Sequence, residues 1–96
     1  MATTMNHYTP PVAFHPGETL AEKLEEMGMS IKEFAIRVTK PEKTIIAIIR
    51  GDSSITSDMA VSFESVTQIP AHFWMNKQRV YDEYIAREKR ERLIQE

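Results

Sequence analysis

Residues 29–51, MSIKEFAIRVTKPEKTIIAIIRG, decide the fold because they contain the signals for two short helices joined by a tight turn. Ser30 and Glu33 have the spacing of a capping box, in which each side chain accepts a hydrogen bond from the other's backbone N–H. A helix is therefore predicted to begin at this point. Apolar residues then recur at the helical spacing i, i+3, i+4 and i+7, as Ile31, Phe34, Ala35 and Val38. This stripe predicts that the first helix buries one face.

Pro41 separates the two predicted helices. Proline lacks an N–H and disfavours helical backbone in the residue before it, so the first helix should end by about Val38. The second helix should begin near Pro41 and run to Gly51, a residue type suited to the left-handed conformation of a helix C-cap. The two helices together have the pattern of a helix-turn-helix over about residues 30–51.

The rest of the chain adds three helices and no strands. Pro16 opens the first of them, which should end at Gly28. Thr56 is a suitable N-cap for the next, which Pro70 should end. A long helix follows over about residues 71–94. The expected fold is therefore all-α, with five helices.

Length and composition support one domain over residues 15–96, preceded by an irregular arm at 1–14 that contains two consecutive prolines. The sequence has no run of about 18 apolar residues and no signal-peptide layout, so we expect a cytoplasmic protein that does not enter a membrane. It also has 0 cysteines, which excludes disulfides and thiolate metal sites.

Charge is unevenly distributed along the chain, although the formal net charge is only −2. Residues 30–51 carry five positive and two negative side chains, a local charge of +3. Residues 18–26 carry four acids and one lysine, a local charge of −3. A protein with one basic module can dock on phosphate through that module in spite of an acidic back.

The second helix of a helix-turn-helix lies in the DNA major groove, where its outward side chains meet the base edges. Its core side is predicted to be Ile45, Ile48 and Ile49. The opposite face and its flanks hold the candidate base-contacting residues Lys43, Ile46, Ala47, Arg50, Glu42 and Thr44. Lys43 can donate to guanine or to a phosphate, Glu42 can accept from cytosine, and the apolar side chains can press on a thymine methyl group.

Candidate phosphate contacts surround this face and would set the register of the protein on the duplex. They are the cations and hydroxyls of Lys40, Arg50, Lys32, Ser30, Ser53 and Thr56. An ordinary solvated helix face is the alternative for each residue taken singly. Two features count against DNA binding: Ile46 and Ala47 supply few hydrogen bonds, and Glu42 repels phosphate.

The last predicted helix has an apolar face broader than one neighbour usually covers. The candidate dimer or partner interface on it comprises Phe73, Trp74, Val80, Tyr81, Tyr84 and Ile85. We expect this helix to pack on the domain with one edge and on a second chain with the other. One module of this size binds DNA weakly, whereas a homodimer can place two recognition helices about 34 Å apart, one turn of the duplex.

Several segments resemble the HigA-type antitoxin family, also called the plasmid-maintenance antidote group, within the Xre/Cro-like helix-turn-helix class. They are His15-Pro16-Gly17-Glu18, Ser30 to Gly51, Ile55-Thr56-Ser57-Asp58-Met59-Ala60, Phe73-Trp74-Met75-Asn76, Gln78 and Tyr81-Asp82. The resemblance covers about residues 15–86. It implies a compact five-helix homodimer that represses its own toxin–antitoxin operon at double-stranded operator DNA. It also implies that the protein neutralises a HigB-like toxin, a ribosome-dependent mRNA endonuclease.

The chain departs from this family's pattern in two places. Thr39 stands in the turn where relatives usually carry glycine, and we interpret it as an N-cap whose T-x-x-E box is completed by Glu42. Ile46 and Ala47 stand on the second helix where relatives often carry serine and arginine, so the resemblance does not specify the operator sequence.

Two other functions remain open on the sequence, a protein-interaction module with a vestigial helix-turn-helix and a standalone transcriptional regulator with no cognate toxin. An enzyme is not expected, because the chain has no nucleophile–base motif, no phosphate-binding glycine loop and no histidine pair at ligand spacing. The same observations predict no cofactor, no metal site and no small-molecule substrate.

Overall fold

The computed structural model describes residues 12–95, which form five helices and, within that range, no strand. The helices are α1 Pro16–Met27, α2 Ile31–Arg37, α3 Glu42–Ile49, α4 Ser57–Thr67 and α5 Ala71–Gln95. The predicted all-α, five-helix fold is confirmed. Of the arm predicted at 1–14, residues 1–11 lie outside the described range, and 12–14 carry no regular secondary structure. In the described range, no helix is both long and apolar enough to cross a membrane.

The core is centred on three aromatic rings from three different helices. The ring of Phe63 in α4 lies 5.0 Å from that of Phe34 in α2 and 5.6 Å from that of Trp74 in α5, measured between centroids. Both pairs meet edge to face, the arrangement that the ring quadrupoles favour. Around them pack the remaining buried hydrophobic residues Leu20, Leu24, Ala35, Val38, Ile45, Ile48, Ile55 and Ala60.

Trp74 is wholly buried in this core, so its predicted role in a dimer or partner interface is wrong. The residue lies on the side of α5 that α4 covers, because Phe63 packs directly against the indole ring. A side chain with no exposed surface has nothing to offer a second chain.

Ser30 and Thr56 begin α2 and α4 as predicted. The Ser30 hydroxyl accepts from the Glu33 N–H at 3.1 Å, and the Thr56 hydroxyl accepts from the Met59 N–H at 3.2 Å. The Glu33 carboxylate pairs instead with Arg37 at 2.8 Å, one turn further along α2. The serine half of the predicted capping box is therefore present, while the glutamate serves an ion pair on the exposed face.

Thr39 does not cap α3, and that interpretation is wrong. The N-cap is Pro41, which makes no side-chain cap hydrogen bond. Thr39 has a φ of 58°, in the left-handed region, and it ends α2. Its N–H donates to Ile36 at 3.2 Å, and the next N–H, of Lys40, donates to Ala35 at 3.0 Å. Thr39 thus occupies the left-handed position of a Schellman turn, where glycine is the usual residue.

The end of α3 follows the prediction closely. Gly51 has a φ of 85°, its N–H donates to Ile48 at 3.0 Å, and the Asp52 N–H donates to Ala47 at 2.8 Å. These paired hydrogen bonds form another Schellman turn. The last regular helical residue is Ile49, and Gly51 supplies the left-handed conformation that redirects the chain.

Gly17 brings α1 into direct contact with the end of α3. A Cβ atom on Gly17 would overlap the carbonyl oxygen of Ile48. The missing side chain therefore allows the first turn of α1 to lie on the backbone of α3. This contact fixes the orientation of α3 relative to the rest of the domain.

Candidate nucleic-acid interface

The two faces of α3 are divided as the sequence predicts. Ile45 and Ile48 are wholly buried, and Ile49 is half-buried against the core. On the other side, Lys43, Arg50 and Glu42 are exposed, while Thr44, Ile46 and Ala47 are half-buried. The structure therefore brings the candidate base-contacting residues together on one outward face, with cations towards its two ends and an apolar centre between them.

Three of the cations near this face are available for an anionic ligand. Among residues 12–95, Lys32, Lys43 and Arg50 make no ion pair, and all three are exposed. Since Arg37 is paired with Glu33, these three side chains supply the uncompensated positive charge of the helix-turn-helix. Such charge is what phosphate contacts require.

Lys40 is in a different situation from the other predicted phosphate contacts. Its Nζ lies 3.0 Å from Oδ2 of Asp58 at the start of α4, and only 28% of its side chain is exposed. The pair ties the turn between α2 and α3 to α4. Sequence inspection missed this contact, because the two residues are 18 positions apart. A phosphate at Lys40 would have to share it with the carboxylate.

The predicted hydroxyl ligands lie at the edges of α2 and α4. Ser30 and Thr56 are exposed, and each hydroxyl already accepts a backbone N–H as an N-cap. A hydroxyl that accepts one hydrogen bond still has its proton to donate, so both remain able to bind a phosphate oxygen. Ser53 is half-buried in the loop between α3 and α4.

This loop, residues 51–56, is fixed by residues that were not among the predicted site residues. Gln78 of α5 is buried, and its Oε1 accepts from the Ile55 N–H at 2.8 Å. The Gln78 Nε2 in turn donates to Oδ1 of Asp82 at 3.0 Å. The only sequence signal for these residues was their place in the family resemblance.

His15 supports the same loop from the side of α1. Its Nδ1 accepts from the Gly17 N–H at 2.9 Å, so the imidazole is the N-cap of α1. The ring packs edge to face on Tyr81 at 4.9 Å and lies beside Gly51. Burial lowers the pKa of His15, although a backbone hydrogen bond to Ser53 and nearby acids act in the opposite direction. The imidazole thus caps α1 and packs against α5.

The outer side of α5 exposes part of the predicted partner face. Phe73, Val80 and Ile85 are 39%, 43% and 41% exposed. Tyr81 and Tyr84 are half-buried, the former against His15. Val80 also borders a groove lined by Val12, Ala13, Phe14, Asn76 and Lys77. Without Trp74, five of the predicted interface residues therefore retain surface for a second chain.

No group of three or more potential metal-ligating side chains occurs in the part of the chain that the structure describes.

Five helices with an exposed second helix in the helix-turn-helix define the chain as a member of the Xre/Cro-like helix-turn-helix class.

Comparison with known proteins places the chain more narrowly, although no family model matches it. A solved HigA-family addiction-module antidote protein of Coxiella burnetii superposes with a TM-score of 0.81, at 34% identity, over 88% of this chain and 94% of that one. The Pseudomonas aeruginosa antitoxin HigA, solved with the higBA promoter, has a TM-score of 0.78, at 32% identity, over 84% of this chain and 89% of that one. The chain belongs to the HigA family of antidote proteins.

A sequence relative agrees with the helix-turn-helix class. The uncharacterized HTH-type transcriptional regulator YddM of Escherichia coli is 27% identical over 66 residues, which span 69% of this chain and 70% of that protein. Antidote proteins and transcriptional regulators are classes of binding protein, not of enzyme.

Proposed function

We propose that the protein is a sequence-specific DNA-binding repressor, the antitoxin of a HigBA-like toxin–antitoxin system, and that it autorepresses its operon. The observation that carries this proposal is the outward face of α3, where exposed Lys43 and Arg50 flank a half-buried apolar centre. The Pseudomonas aeruginosa relative solved with the higBA promoter supports it, because the two chains share 32% of their residues across this fold.

The base contacts divide by chemistry. Lys43 and Thr44 donate to purine acceptors, and Glu42 accepts from cytosine. Ile46 and Ala47 lie against thymine methyl groups at the centre of the face. Specificity therefore depends more on methyl contacts and on DNA shape than it does where arginine makes bidentate hydrogen bonds.

The phosphate contacts surround this centre. Arg50 and Lys32 are exposed and, like Lys43, make no ion pair within residues 12–95, whereas Lys40 contributes only as far as Asp58 releases it. The hydroxyls of Ser30, Ser53 and Thr56 donate to phosphate oxygens, which sets the register without reading sequence.

The active form we propose is a homodimer in the cytoplasm, formed through the outer side of α5. Phe73, Val80, Tyr81, Tyr84 and Ile85 supply its apolar surface, and they lie on a helix distinct from α3. A two-fold axis through α5 can then present two α3 helices to half-sites about 34 Å apart. The HigB-like toxin is the second protein partner.

Titration of binding to the protein's own promoter fragment tests the repressor. The logarithm of the binding constant should fall steeply with the logarithm of the salt concentration, because phosphate contacts release counterions. Lys43→Ala should weaken binding, whereas Lys89→Ala, at an exposed position on the far end of α5, should not. If the wild-type protein shifts no promoter fragment at low salt, it is not a repressor.

The half-buried Ile46 and Ala47 favour one alternative, a protein-interaction module whose helix-turn-helix no longer reads DNA. Co-purification with the product of the adjacent gene, unaffected by Lys43→Ala, would support that alternative. Absence of a toxin gene beside this one would leave a standalone regulator.

A further inference from the structure

The loop between α3 and α4 presents two of the proposed phosphate contacts, Ser53 and Thr56. At its start, the turn at Gly51 holds it to the end of α3 through backbone hydrogen bonds. At its far end, the Ile55 side chain is buried, and the Ile55 N–H is held by the side chain of Gln78, 23 residues further along the chain. The position of the loop therefore depends on α5 as well as on α3.

Gln78 is oriented for this task by a second hydrogen bond. Its Nε2 donates to Oδ1 of Asp82 at 3.0 Å, one helical turn further along α5. Because Asp82 accepts, the amide must turn its NH₂ group towards the carboxylate, which leaves Oε1 aimed at the Ile55 N–H. Only 4% of Gln78 is exposed, so water does not compete effectively for either bond.

The opposite side of the loop is closed by His15. Its ring lies beside Gly51 and packs on Tyr81, which is on α5 between Gln78 and Asp82. The segment that contains His15 precedes the helix-turn-helix in sequence, and the segment that contains Gln78 and Tyr81 follows it. The two segments thus converge on this loop. Their shared feature in the structure is contact with the segment that follows the recognition helix.

We propose that Gln78 is a positioning residue for DNA binding, which acts through the Ile55 N–H to place the Ser53 and Thr56 hydroxyls against phosphates. The inference rests on the proposed repressor function and assigns a role to a buried residue that does not itself touch DNA. Loss of the Gln78 hydrogen bonds should release the loop and weaken operator binding about tenfold, the effect of about one lost hydrogen bond to a charged group.

The test compares Gln78→Met, which keeps the approximate volume but removes both hydrogen bonds, with Gln68→Met, which makes the same change at an exposed position in α4's C-cap. Promoter binding is measured by fluorescence anisotropy at a temperature at which all variants are folded. Gln78→Met should bind about tenfold more weakly and should speed hydrogen exchange at the Ile55 amide, whereas Gln68→Met should change neither.

A double-mutant cycle with Ser53→Ala separates positioning from a general loss of stability. In the wild-type background, Ser53→Ala should weaken binding, whereas in Gln78→Met it should have little further effect, because the hydroxyl is already misplaced. Additive effects would show that Gln78 affects binding independently of the Ser53 hydroxyl and would overturn the proposal.

If Gln78→Met does not fold, exchanging the amide of Gln78 and the carboxylate of Asp82 tests the same proposal. Gln78→Glu keeps an acceptor for Ile55 but faces the Asp82 carboxylate, so it should bind weakly. Adding Asp82→Asn supplies a donor in place of that repulsion, and the double variant should recover most of the affinity. Failure of this rescue would contradict the proposal.

These outcomes distinguish the two proposals. If the wild-type protein binds no promoter DNA, the repressor function is contradicted, and the positioning role of Gln78 is contradicted with it. If the wild-type protein binds promoter DNA and Gln78→Met binds it with the same affinity, the repressor function stands and only the role of Gln78 is contradicted.

Discussion

Replacing Thr39 with glycine should stabilise the protein, because Thr39 is a β-branched residue held at a φ of 58°. A non-glycine residue in the left-handed region costs about 1–2 kcal/mol. Glycine offsets about 0.5–1 kcal/mol of this stabilisation, because it has more conformational freedom to lose from the unfolded chain. The free energy of unfolding should therefore rise by about 0.5–1 kcal/mol.

No compensating contact is lost in this substitution. The Thr39 side chain is exposed and makes no hydrogen bond within residues 12–95, while its backbone N–H bond to Ile36 does not depend on the side chain. Urea denaturation should show a higher midpoint with an unchanged m-value. Thermal melting should show an increase of about 2–8 °C for a domain of this size.

Gly28 provides the matched control for Thr39→Gly. It has a φ of 66°, and a Cβ atom there would meet nothing within 4 Å, so Gly28→Thr changes backbone strain without a steric clash. That variant should lose about as much stability as Thr39→Gly gains. A Thr39→Gly protein no more stable than the wild type would refute the strain argument.

Three further predictions follow from the structure. Gly17→Ala should cost about 1–3 kcal/mol of unfolding free energy in chemical denaturation, because the methyl group meets the Ile48 backbone and neither helix can move freely. Burial lowers the pKa of His15, so this side chain takes up a proton more readily in the unfolded state than in the folded state. The free energy of unfolding should therefore have its maximal His15 contribution above a pH of about 6.5 and decline as the pH falls through the pKa of the folded state. His15→Asn, which retains a capping side chain, should reduce that decline in denaturation measured at pH 7 and pH 5. Asp58→Asn should strengthen promoter binding slightly at low salt, because it releases Lys40 for phosphate, and a decrease would contradict this account of the pair.

Much of the fold could be predicted because its signals are local. The N-caps at Ser30 and Thr56, the left-handed Gly51 and the two faces of α3 each depend on residues within about one or two helical turns. The same range of spacing brought the candidate base-contacting residues to one outward face, although their contacts with DNA remain predictions. Thr39 shows the limit even at short range, since a T-x-x-E pattern fits an N-cap as well as it fits the end of the preceding helix.

The remaining features depend on how the helices cross, which the spacing of residues along one helix does not encode. The sequence could show that α5 has a broad apolar face, but only the packing of Phe63 decides that Trp74 is buried while Phe73 remains exposed. Packing likewise pairs Lys40 with Asp58 and aims Gln78 at the Ile55 N–H, across 18 and 23 residues of chain. Local hydrogen-bonding and apolar periodicity determined the helices, and close packing of their side chains decided which residues could face a partner.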